Sequence, residues 1–392
     1  MSEKALIAGV GMVKFKKPSA SEMYDVMGAE AASEALSDAG INYKDVQQAY
    51  AGYVFGDTCS GQTALYSLGL TGIPIINVNN ACASGTSAIY LARQAVMSGQ
   101  VDVALALGFE QMSPGAMSVN TERTPITWRL NQAIDEIRGW DKDAPEAPQY
   151  FGSAGAEYLE KYGENAELFA KVSVKARNHA LNNPYALFST PLTVEEVMAS
   201  TPIFGPLTKL MCCPPTCGAA ATVIVSQSYA RKHGLDRTVE ISGMALVTDG
   251  NESFHSGSII NVVGAGVTRT AAQRAYEEAG IGAEDADIVE LHDCFSSNEI
   301  ISYEALGLCP EGGAAKFVMD GDNTYGGKIV TNPSGGLLSK GHPLGATGPA
   351  QFAEIVWHLR GIAGDRQVPN AKVGIQHNIG LGGAGVVSVL KV

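Results

Sequence analysis

The chain has 392 residues, of which 45% are hydrophobic and 17% are charged, a composition that suits a globular protein with a large core and more than one domain. Its net charge of −13 excludes nucleic acid and anionic membrane surfaces as main partners. No run approaches about eighteen apolar residues, and the first residues do not resemble a signal peptide. We therefore expect no membrane span, and a cytoplasmic location if the source is bacterial.

An internal repeat organises the chain. Residues 31–45 align with residues 271–285 at a constant offset of 240, and seven of the fifteen positions are identical. Each copy predicts a helix that ends at a glycine, then an acidic turn and an apolar strand. Two similar α/β halves are therefore expected, with a site between them.

A strand, a turn and a helix surround Cys82. The apolar segment 73–78 predicts a buried strand, and from Ser84 onward small and apolar residues recur at helical spacing. At such a junction, unpaired N–H groups and the positive end of the helix dipole favour a thiolate, so we expect a lowered pKa for Cys82. A buried, unreactive cysteine is the alternative.

The segments after Cys82 predict the domain division. A strand at 101–107 leads into an irregular stretch, 114–209, which we interpret as an inserted loop domain. The first half then resumes with an apolar run and a helix. The predicted division is residues 1–113 and 210–247 for the N-terminal half, 114–209 for the insertion, and 248–392 for the C-terminal half.

Seven cysteines at irregular spacing fit a reducing compartment. Three of them lie in the segment Cys212-Cys-Pro-Pro-Thr-Cys217, which superficially resembles a metal site. No second Cys or His cluster follows at ligand spacing, so we expect no bound metal.

Two further blocks carry ionisable residues. The strand-like run before His292-Asp293-Cys294-Phe295 ends in polar groups, and Gly341 and Pro343 flank His342. Together with Cys82, these residues suit acyl transfer: a thiolate attacks a carbonyl, a histidine takes the thiol proton, N–H groups receive the oxyanion, and a second thiol shuttles a proton to carbon.

Several of these segments resemble the thiolases, most closely the sterol-carrier-type thiolases. The resemblance spans essentially the whole chain, and its most specific segments are 52–57, 72–80, 291–295, 303–312 and 321–327. It implies an α/β thiolase fold: a duplicated five-layered αβαβα arrangement with two pseudo-twofold-related halves and an inserted loop domain.

The resemblance also implies site roles. Cys82 would be the acylated nucleophile, and His342 would activate it and help form an oxyanion hole. His292 would stand where most thiolases have an Asn that holds an oxyanion-hole water. Cys294 would supply the acid/base thiol. Gly380 would offer an N–H to the second oxyanion hole, together with the N–H of Cys82.

The chain departs from the family pattern in three places. Gln376-His377-Asn378 stands near the position of the usual C-terminal Cys-x-Gly motif, Cys217 replaces a usual Asp, and the chain ends at Val392 without the lipid-transfer domain of sterol carrier protein X. The last residues do not resemble a peroxisomal address.

The implied function is that of a 3-oxoacyl-CoA thiolase, which needs no permanent cofactor and uses acyl-CoA with coenzyme A as co-substrate. The resemblance also implies a homodimer or a dimer of dimers. A related condensing or retro-aldol enzyme and a non-catalytic lipid-CoA-binding protein are the alternatives. CoA-contacting residues stay open: Arg123, Arg129 and Arg138 are candidates for phosphate ligands and equally for solvated surface.

Overall fold

A computed structural model describes residues 3–115 and 127–392. Within these ranges, its strands are β1 (Ala5–Met12), β2 (Gln48–Gly52), β3 (Ile75–Val78), β4 (Val103–Glu110), β5 (Pro202–Phe204), β6 (Leu207–Thr208), β7 (Gly218–Ser226), β8 (Val239–Val247), β9 (Ile288–Glu290), β10 (Val330–Thr331), β11 (Val373–Gly380) and β12 (Ala384–Lys391).

The helices in the same ranges are α1 (Tyr24–Ala39), α2 (Ser60–Tyr66), α3 (Ser84–Met97), α4 (Trp128–Arg138), α5 (Glu146–Tyr162), α6 (Glu167–Ala180), α7 (Val194–Met198), α8 (Gln227–His233), α9 (Asn251–His255), α10 (Ile259–Val262), α11 (Ala265–Ala279), α12 (Ser296–Ala305), α13 (Ala314–Met319), α14 (Gly336–Ser339) and α15 (Thr347–Leu359). Among these helices, none is long and apolar enough to cross a bilayer.

Two five-stranded arrays with the same topology form the large sheet. The order is β3-β2-β4-β7-β1 in the first and β10-β9-β11-β12-β8 in the second. In each array, three strands are parallel and the last two pairings are antiparallel. A short antiparallel pairing of β1 with β8 joins the arrays. The duplication predicted from the repeat is confirmed.

The repeat at offset 240 corresponds to equivalent helices. Helices α1 and α11 end at Gly40 and Gly280, both in the left-handed conformation that glycine adopts at low cost. Both helices pack very closely on their sheets. A Cβ on Gly9 would lie 2.2 Å from the Ala35 carbonyl, and one on Gly243 would lie 2.1 Å from the Ala275 carbonyl. Glycine at these strand positions therefore allows the outer helices to approach the sheet.

Five layers result from this packing. Helices α1 and α2 cover the outer face of the first array, and α11 covers the second, with α12 packed against α11. Helices α3 and α15 pack against each other between the arrays and contact strands of both. A buried apolar cluster that draws on both central helices and on strands of both halves fills this middle layer. The N-terminus of α3 and the loop before α15 thus meet between the halves.

The strand pairing places β8 with the C-terminal half, because β8 pairs along its length with β12. The predicted boundary at residue 248 leaves this strand in the N-terminal half. We propose instead that the second half begins near Gly234, where α8 ends. The predicted insertion, 114–209, lies between β4 and β7 and contains α4 to α7, although 116–126 are outside the described residues.

The strand before Cys82 differs from its prediction. Strand β3 begins at Ile75, not residue 73, and it is half-exposed rather than buried. It lies at the end of the sheet and pairs only with β2 among the described residues. The strand is therefore an edge strand in spite of its apolar composition, and the Ile76 side chain is 38% exposed.

Candidate active site between the halves

A strained turn presents Cys82 at the start of α3. Ala81 has a φ of 48°, in the left-handed region that side chains other than glycine rarely adopt. The Ser84 hydroxyl accepts a hydrogen bond from the Asn80 N–H at 2.9 Å and donates one to the Ala81 carbonyl at 2.6 Å. These bonds hold the turn, and the Cys82 side chain lies buried between the halves.

The loop of the second half that carries His342 lies directly on the first half. A Cβ on Gly345 would lie 2.4 Å from the Phe109 carbonyl and 2.5 Å from the Gly52 carbonyl, so glycine is required for this approach. The Gly345 N–H donates to the buried carboxylate of Glu110 at 3.1 Å. The loop is thereby fixed across the interface, and His342 is brought to Cys82.

The tautomer of His342 follows from its partner. The Thr347 hydroxyl donates its one hydrogen to the Pro343 carbonyl at 2.9 Å, so at 2.7 Å it accepts a hydrogen from Nδ1 of His342. Burial lowers the pKa of His342 to about 3, so the ring is neutral. Its Nε2 therefore carries a lone pair that is able to accept a proton.

Cys82, His292 and His342 come together as predicted. The Cys82 sulfur and one ring nitrogen of each histidine all lie within 4.8 Å of one another. The two imidazole rings are nearly perpendicular, at 85°, with 5.0 Å between their centres. All three side chains are buried. A nucleophile, a base and a second polar ring thus share one small space.

The expected lowering of the Cys82 pKa is wrong for the free protein. The N–H groups of Cys82 and Leu381 do lower this pKa, but burial and then the nearby carboxylate of Glu110 outweigh them and raise it to about 12. Burial depends on packing between the halves, which the helix-start argument does not include. At rest, therefore, the thiol and His342 are both neutral.

This neutral pair has a measurable consequence. Because the thiolate fraction rises tenfold per pH unit below the pKa, alkylation of Cys82 by iodoacetamide should increase steadily with pH up to about pH 10. Peptide mass spectrometry of quenched samples measures the rate at Cys82 alone. A plateau that begins near neutral pH would contradict the neutral pair and indicate a resting thiolate–imidazolium pair.

Cys294 lies on the same loop as His292, two residues later, and is buried. Burial raises the pKa of the Cys294 thiol well above its ordinary value, and charges on Cys213 and Cys82 would raise it further. The Cys213 N–H donates to the Cys294 carbonyl at 2.9 Å. The carboxylate of Asp293, between the two predicted residues, accepts the Leu337 N–H at 2.7 Å. These contacts fix the loop that holds His292 and Cys294.

The hairpin turn after β11, which begins at the predicted residue Gly380, packs against the turn that carries Cys82. A Cβ on Gly380 would lie 2.0 Å from the Asn80 carbonyl, so Gly380 permits close packing against the turn of Cys82. The next residue also bears on the site, because the N–H groups of Cys82 and Leu381 both lower the pKa of the Cys82 thiol. Sequence reasoning missed the Leu381 N–H because it depends on the shape of a turn.

Comparison with known proteins agrees with this geometry. Residues 6–196 match the family described as thiolase, N-terminal domain, and residues 253–391 match the family described as thiolase C-terminal domain-like. The chain belongs to the thiolase family. It is 52% identical to sterol carrier protein 2 of Bos taurus, over all of this chain and 73% of that protein. It is therefore a sterol-carrier-type thiolase, an acyltransferase.

Two other relatives broaden the comparison. Acetyl-CoA acetyltransferase of Methanothermobacter thermautotrophicus is 37% identical over 98% of each chain. The solved structure of the Ltp2-ChsH2(DUF35) aldolase superposes with a TM-score of 0.83 at 25% identity, and the match covers 99% of this chain and 98% of that one. The fold thus occurs in relatives with different named activities.

The cysteine-rich segment of this thiolase, residues 212–217, packs beside the loop that carries Cys294. The Cys212 thiol donates to the Thr208 carbonyl at 3.4 Å and the Cys217 thiol donates to the Met112 carbonyl at 3.5 Å, while Cys213 lies against Cys294. The sulfur atoms serve separate contacts and do not form a ligand cluster. Cys217, which replaces the usual Asp, is a buried hydrogen-bond donor.

The Cys82, His292 and His342 group has the residue types of a zinc site. However, Nδ1 of His292 accepts a hydrogen bond from the Asn378 side-chain NH₂ at 2.7 Å, so the hydrogen of the neutral ring is on Nε2. His292 then presents an N–H, and not a lone pair, to the other two residues. The hydrogen bonds therefore suit an anion-stabilising donor better than a metal ligand.

Glu110 is a site residue that the sequence did not reveal. Its carboxylate accepts the N–H groups of the consecutive residues Val54 and Phe55 in the first half and of Gly345 in the second half. Burial raises the pKa of Glu110 to about 7. Its only sequence signal is an acidic residue at the end of an apolar strand, β4.

The three arginines that were candidates for phosphate contact lie in different surroundings. Arg129 lines a surface cavity of about 490 Å³, together with His255 and with Gly382 of the turn that approaches Cys82. Arg138 is paired with Glu160 on the surface, with 2.9 Å between Nη1 and Oε1. Arg123 lies outside the described residues.

Proposed function

We propose that the chain is a 3-oxoacyl-CoA thiolase that cleaves 3-oxoacyl-CoA with CoA to give an acyl-CoA shortened by an acetyl or propionyl unit. The observation that carries this proposal is the meeting of the Cys82 sulfur with one ring nitrogen each of His292 and His342 within 4.8 Å, with buried Cys294 two residues after His292 on the same loop. An acyl-cysteine route needs a nucleophile, a base, an oxyanion donor and a group that exchanges a proton with carbon. This site offers one residue for each task.

The first half-reaction forms the acyl-enzyme. The Cys82 sulfur attacks the 3-keto carbon while His342 Nε2 takes its proton, and the bond between the second and third carbons breaks. The electron pair of that bond moves to the thioester carbonyl as an enolate, and Cys294 protonates the second carbon. Acetyl-CoA, or propionyl-CoA from a 2-methyl substrate, departs and leaves the acyl group on Cys82.

The second half-reaction regenerates the thiol. CoA enters, its thiol proton passes to the Cys294 thiolate, and its sulfur attacks the acyl carbon on Cys82. The Cys82 sulfur leaves and recovers its proton from His342, and acyl-CoA departs. The oxyanion of the tetrahedral intermediates would lie at the N–H groups of Cys82 and, by the geometry above, Leu381 or Gly380.

The two histidines form the other oxyanion hole in this proposal. His292 holds an N–H throughout, and His342 acquires one at Nε2 when it accepts the Cys82 proton. Both N–H groups are then available to the enolate oxygen at the step where that oxygen becomes negative. His342 therefore serves as base and donor in succession.

Coenzyme A is the proposed co-substrate, with no permanently bound cofactor. The cavity lined by Arg129, His255 and Asp249 adjoins the turn that approaches Cys82, and Arg129 supplies a local positive charge in a chain that is acidic overall. We propose that it receives part of the CoA phosphates. A local cation of this kind offsets part of the repulsion between a polyanion and a chain with a net charge of −13.

A panel of substrates tests the proposed function. Straight-chain, 2-methyl-branched and steroid-side-chain 3-oxoacyl-CoAs are each incubated with CoA, and the disappearance of the 3-oxo thioester is followed with the appearance of acetyl-CoA or propionyl-CoA. CoA-dependent cleavage of at least one class supports the proposal. A protein that leaves these 3-oxo thioesters intact but cleaves the matching 3-hydroxyacyl-CoAs without CoA, to acetyl-CoA or propionyl-CoA and a free aldehyde or ketone, would instead favour the retro-aldol alternative.

We also propose that this thiolase is a homodimer formed through the β3 edge. An exposed strand edge is a template for pairing, and a second copy would cover both the edge and the exposed side chain of Ile76. In analytical ultracentrifugation we expect wild type to sediment as a dimer or larger and Ile76→Lys to shift toward monomer. Ile362→Lys, at a 48% exposed isoleucine away from this edge, is the matched control.

If Ile76→Lys sediments as wild type does, or if wild type is monomeric, the β3 interface is excluded.

A further inference from the structure

A chain of buried amides and hydroxyls leads to the ring of His292. It starts at Gln351 in α15, whose side-chain NH₂ lies 3.1 Å from the Leu291 carbonyl and 3.2 Å from the His377 carbonyl. Backbone carbonyls only accept hydrogen bonds, so the nitrogen must be on this side. The Gln351 Oε1 atom is therefore an acceptor on the other side.

The orientation of Gln351 determines the orientation of the next amide, Gln376 in β11. Because Gln351 offers an oxygen, the Gln376 NH₂ faces it, at 2.8 Å. The same NH₂ lies 3.4 Å from the Thr86 hydroxyl, and the Ser388 hydroxyl donates to Gln376 Oε1 at 3.1 Å. Thr86 thus receives a hydrogen from Gln376.

Thr86, in α3, has a single hydroxyl hydrogen and links the hydrogen bonds of the second half to those of the first. Since its oxygen accepts from Gln376, its hydrogen is free for Asn378 Oδ1, at 3.0 Å. This contact fixes the Asn378 amide with its NH₂ toward His292 Nδ1. Thr86, Gln351, Gln376 and Asn378 are all fully buried, so water does not compete for these bonds.

We propose that Asn378, Thr86, Gln376 and Gln351 form a relay that holds His292 in the Nε2–H tautomer and so keeps an oxyanion-hole donor aimed at the substrate. These four are positioning residues, since none of them would contact the reacting atoms. The inference rests on the proposed function for its effect on rate, but the tautomer itself is a property of the free protein.

The relay explains why two adjacent histidines differ. His342 is held with its hydrogen on Nδ1 by Thr347, and His292 is held with its hydrogen on Nε2 by Asn378. One ring therefore presents a lone pair to Cys82 and the other presents a donor. If both rings took the same tautomer, the site would lose either its base or its permanent donor.

Histidine ¹⁵N NMR tests the relay directly, because a protonated and an unprotonated ring nitrogen give well-separated shifts. The His292 signals are identified as those absent from His292→Gln. In wild type we expect the Nε2–H form alone. Thr86→Val removes the hydroxyl at nearly constant volume, frees the Asn378 amide to rotate, and should give a mixture of the two tautomers. Thr86→Ser keeps the hydroxyl and should keep the wild-type form.

Kinetics on the same variants supply the functional readout. We expect Thr86→Val to lower kcat by about 10-fold with little change in KM, because part of the His292 population keeps its Nε2–H; outright loss of an oxyanion donor costs about 10²- to 10³-fold. We expect Thr86→Ser to stay near wild type. Thr222→Val is the matched control, since the buried Thr222 hydroxyl has no hydrogen-bond partner among residues 3–115 and 127–392. Its kcat should be unchanged.

The outcomes separate the relay from the proposed function. Wild-type His292 in the Nδ1–H form, or a Thr86→Val protein with an unchanged tautomer and kcat, would overturn the relay. If Thr86→Val does not fold, Asn378→Leu and the wild-type spectrum decide the same point. A wild type with the expected tautomer that cleaves no 3-oxoacyl-CoA would leave the relay in place and overturn the proposed function.

Discussion

Replacement of Cys82 by alanine is expected to reduce CoA-dependent cleavage by roughly 10⁴-fold or more, because the variant has no atom to carry the acyl group. His342 and the N–H groups around the site stay in place, so substrate binding should survive. Steady-state thiolysis and substrate affinity, measured on the same preparation, check both parts.

Cys59→Ala is the matched control for Cys82→Ala. Cys59 is exposed and has no assigned role, so this variant should keep wild-type turnover. If Cys82→Ala retains full activity, Cys82 is not the nucleophile, and the acyl-cysteine mechanism fails with it.

Replacement of Cys294 by alanine should cost about 10²- to 10⁴-fold in thiolysis, the range of a lost acid/base group. The loss should have its own signature. Without a thiol to exchange protons with carbon, the variant should no longer exchange the α-hydrogens of acetyl-CoA with deuterated water. Alkylation of Cys82 by iodoacetamide should continue at a rate close to that of wild type.

Cys213→Ala isolates the chemistry of Cys294 from its packing. The Cys213 N–H, which survives the substitution, donates to the Cys294 carbonyl, and the thiol of this half-buried residue has no assigned role. We expect this variant to keep deuterium exchange and most of its turnover. Loss of exchange in Cys213→Ala but not in Cys294→Ala would transfer the acid/base role to Cys213.

The sequence was sufficient for the features encoded by local pattern. The offset of 240 revealed the duplication because helix, glycine cap and strand follow each other in both copies. Cys82 and His342 could be found because glycine, proline and small residues mark the turns around them. The structure confirms the duplication and brings both residues together with His292.

Long-range packing explains what the sequence left hidden. The pKa of Cys82 rises because the two halves bury the thiol, whereas the N–H groups at the helix start alone would lower it. Strand β8 pairs with β12, some 140 residues later, so nothing near residue 239 indicates the boundary. The exposed edge of β3 and the N–H of Leu381 likewise depend on neighbours that no local motif specifies.

Polar residues outside the motifs were hidden for a related reason. Asn378 attracted notice only as the place where a cysteine is missing, and Thr86 reads as one more small residue on a helix. Their contacts cross from α3 to β11 and join groups 292 residues apart. The donor and the acceptor in each of these hydrogen bonds can be assigned only when the positions of all the groups in the series are known.

Trapping of the acyl-enzyme tests the central claim most directly. Wild type is mixed with a 3-oxoacyl-CoA in the absence of free CoA, quenched in acid, digested and mapped by mass spectrometry. We predict an adduct of the acyl mass on Cys82, absent from Cys213 and Cys294 and released as acyl-CoA when CoA is added before the quench. An adduct on another residue, or cleavage of the substrate with no adduct on Cys82, would contradict the account.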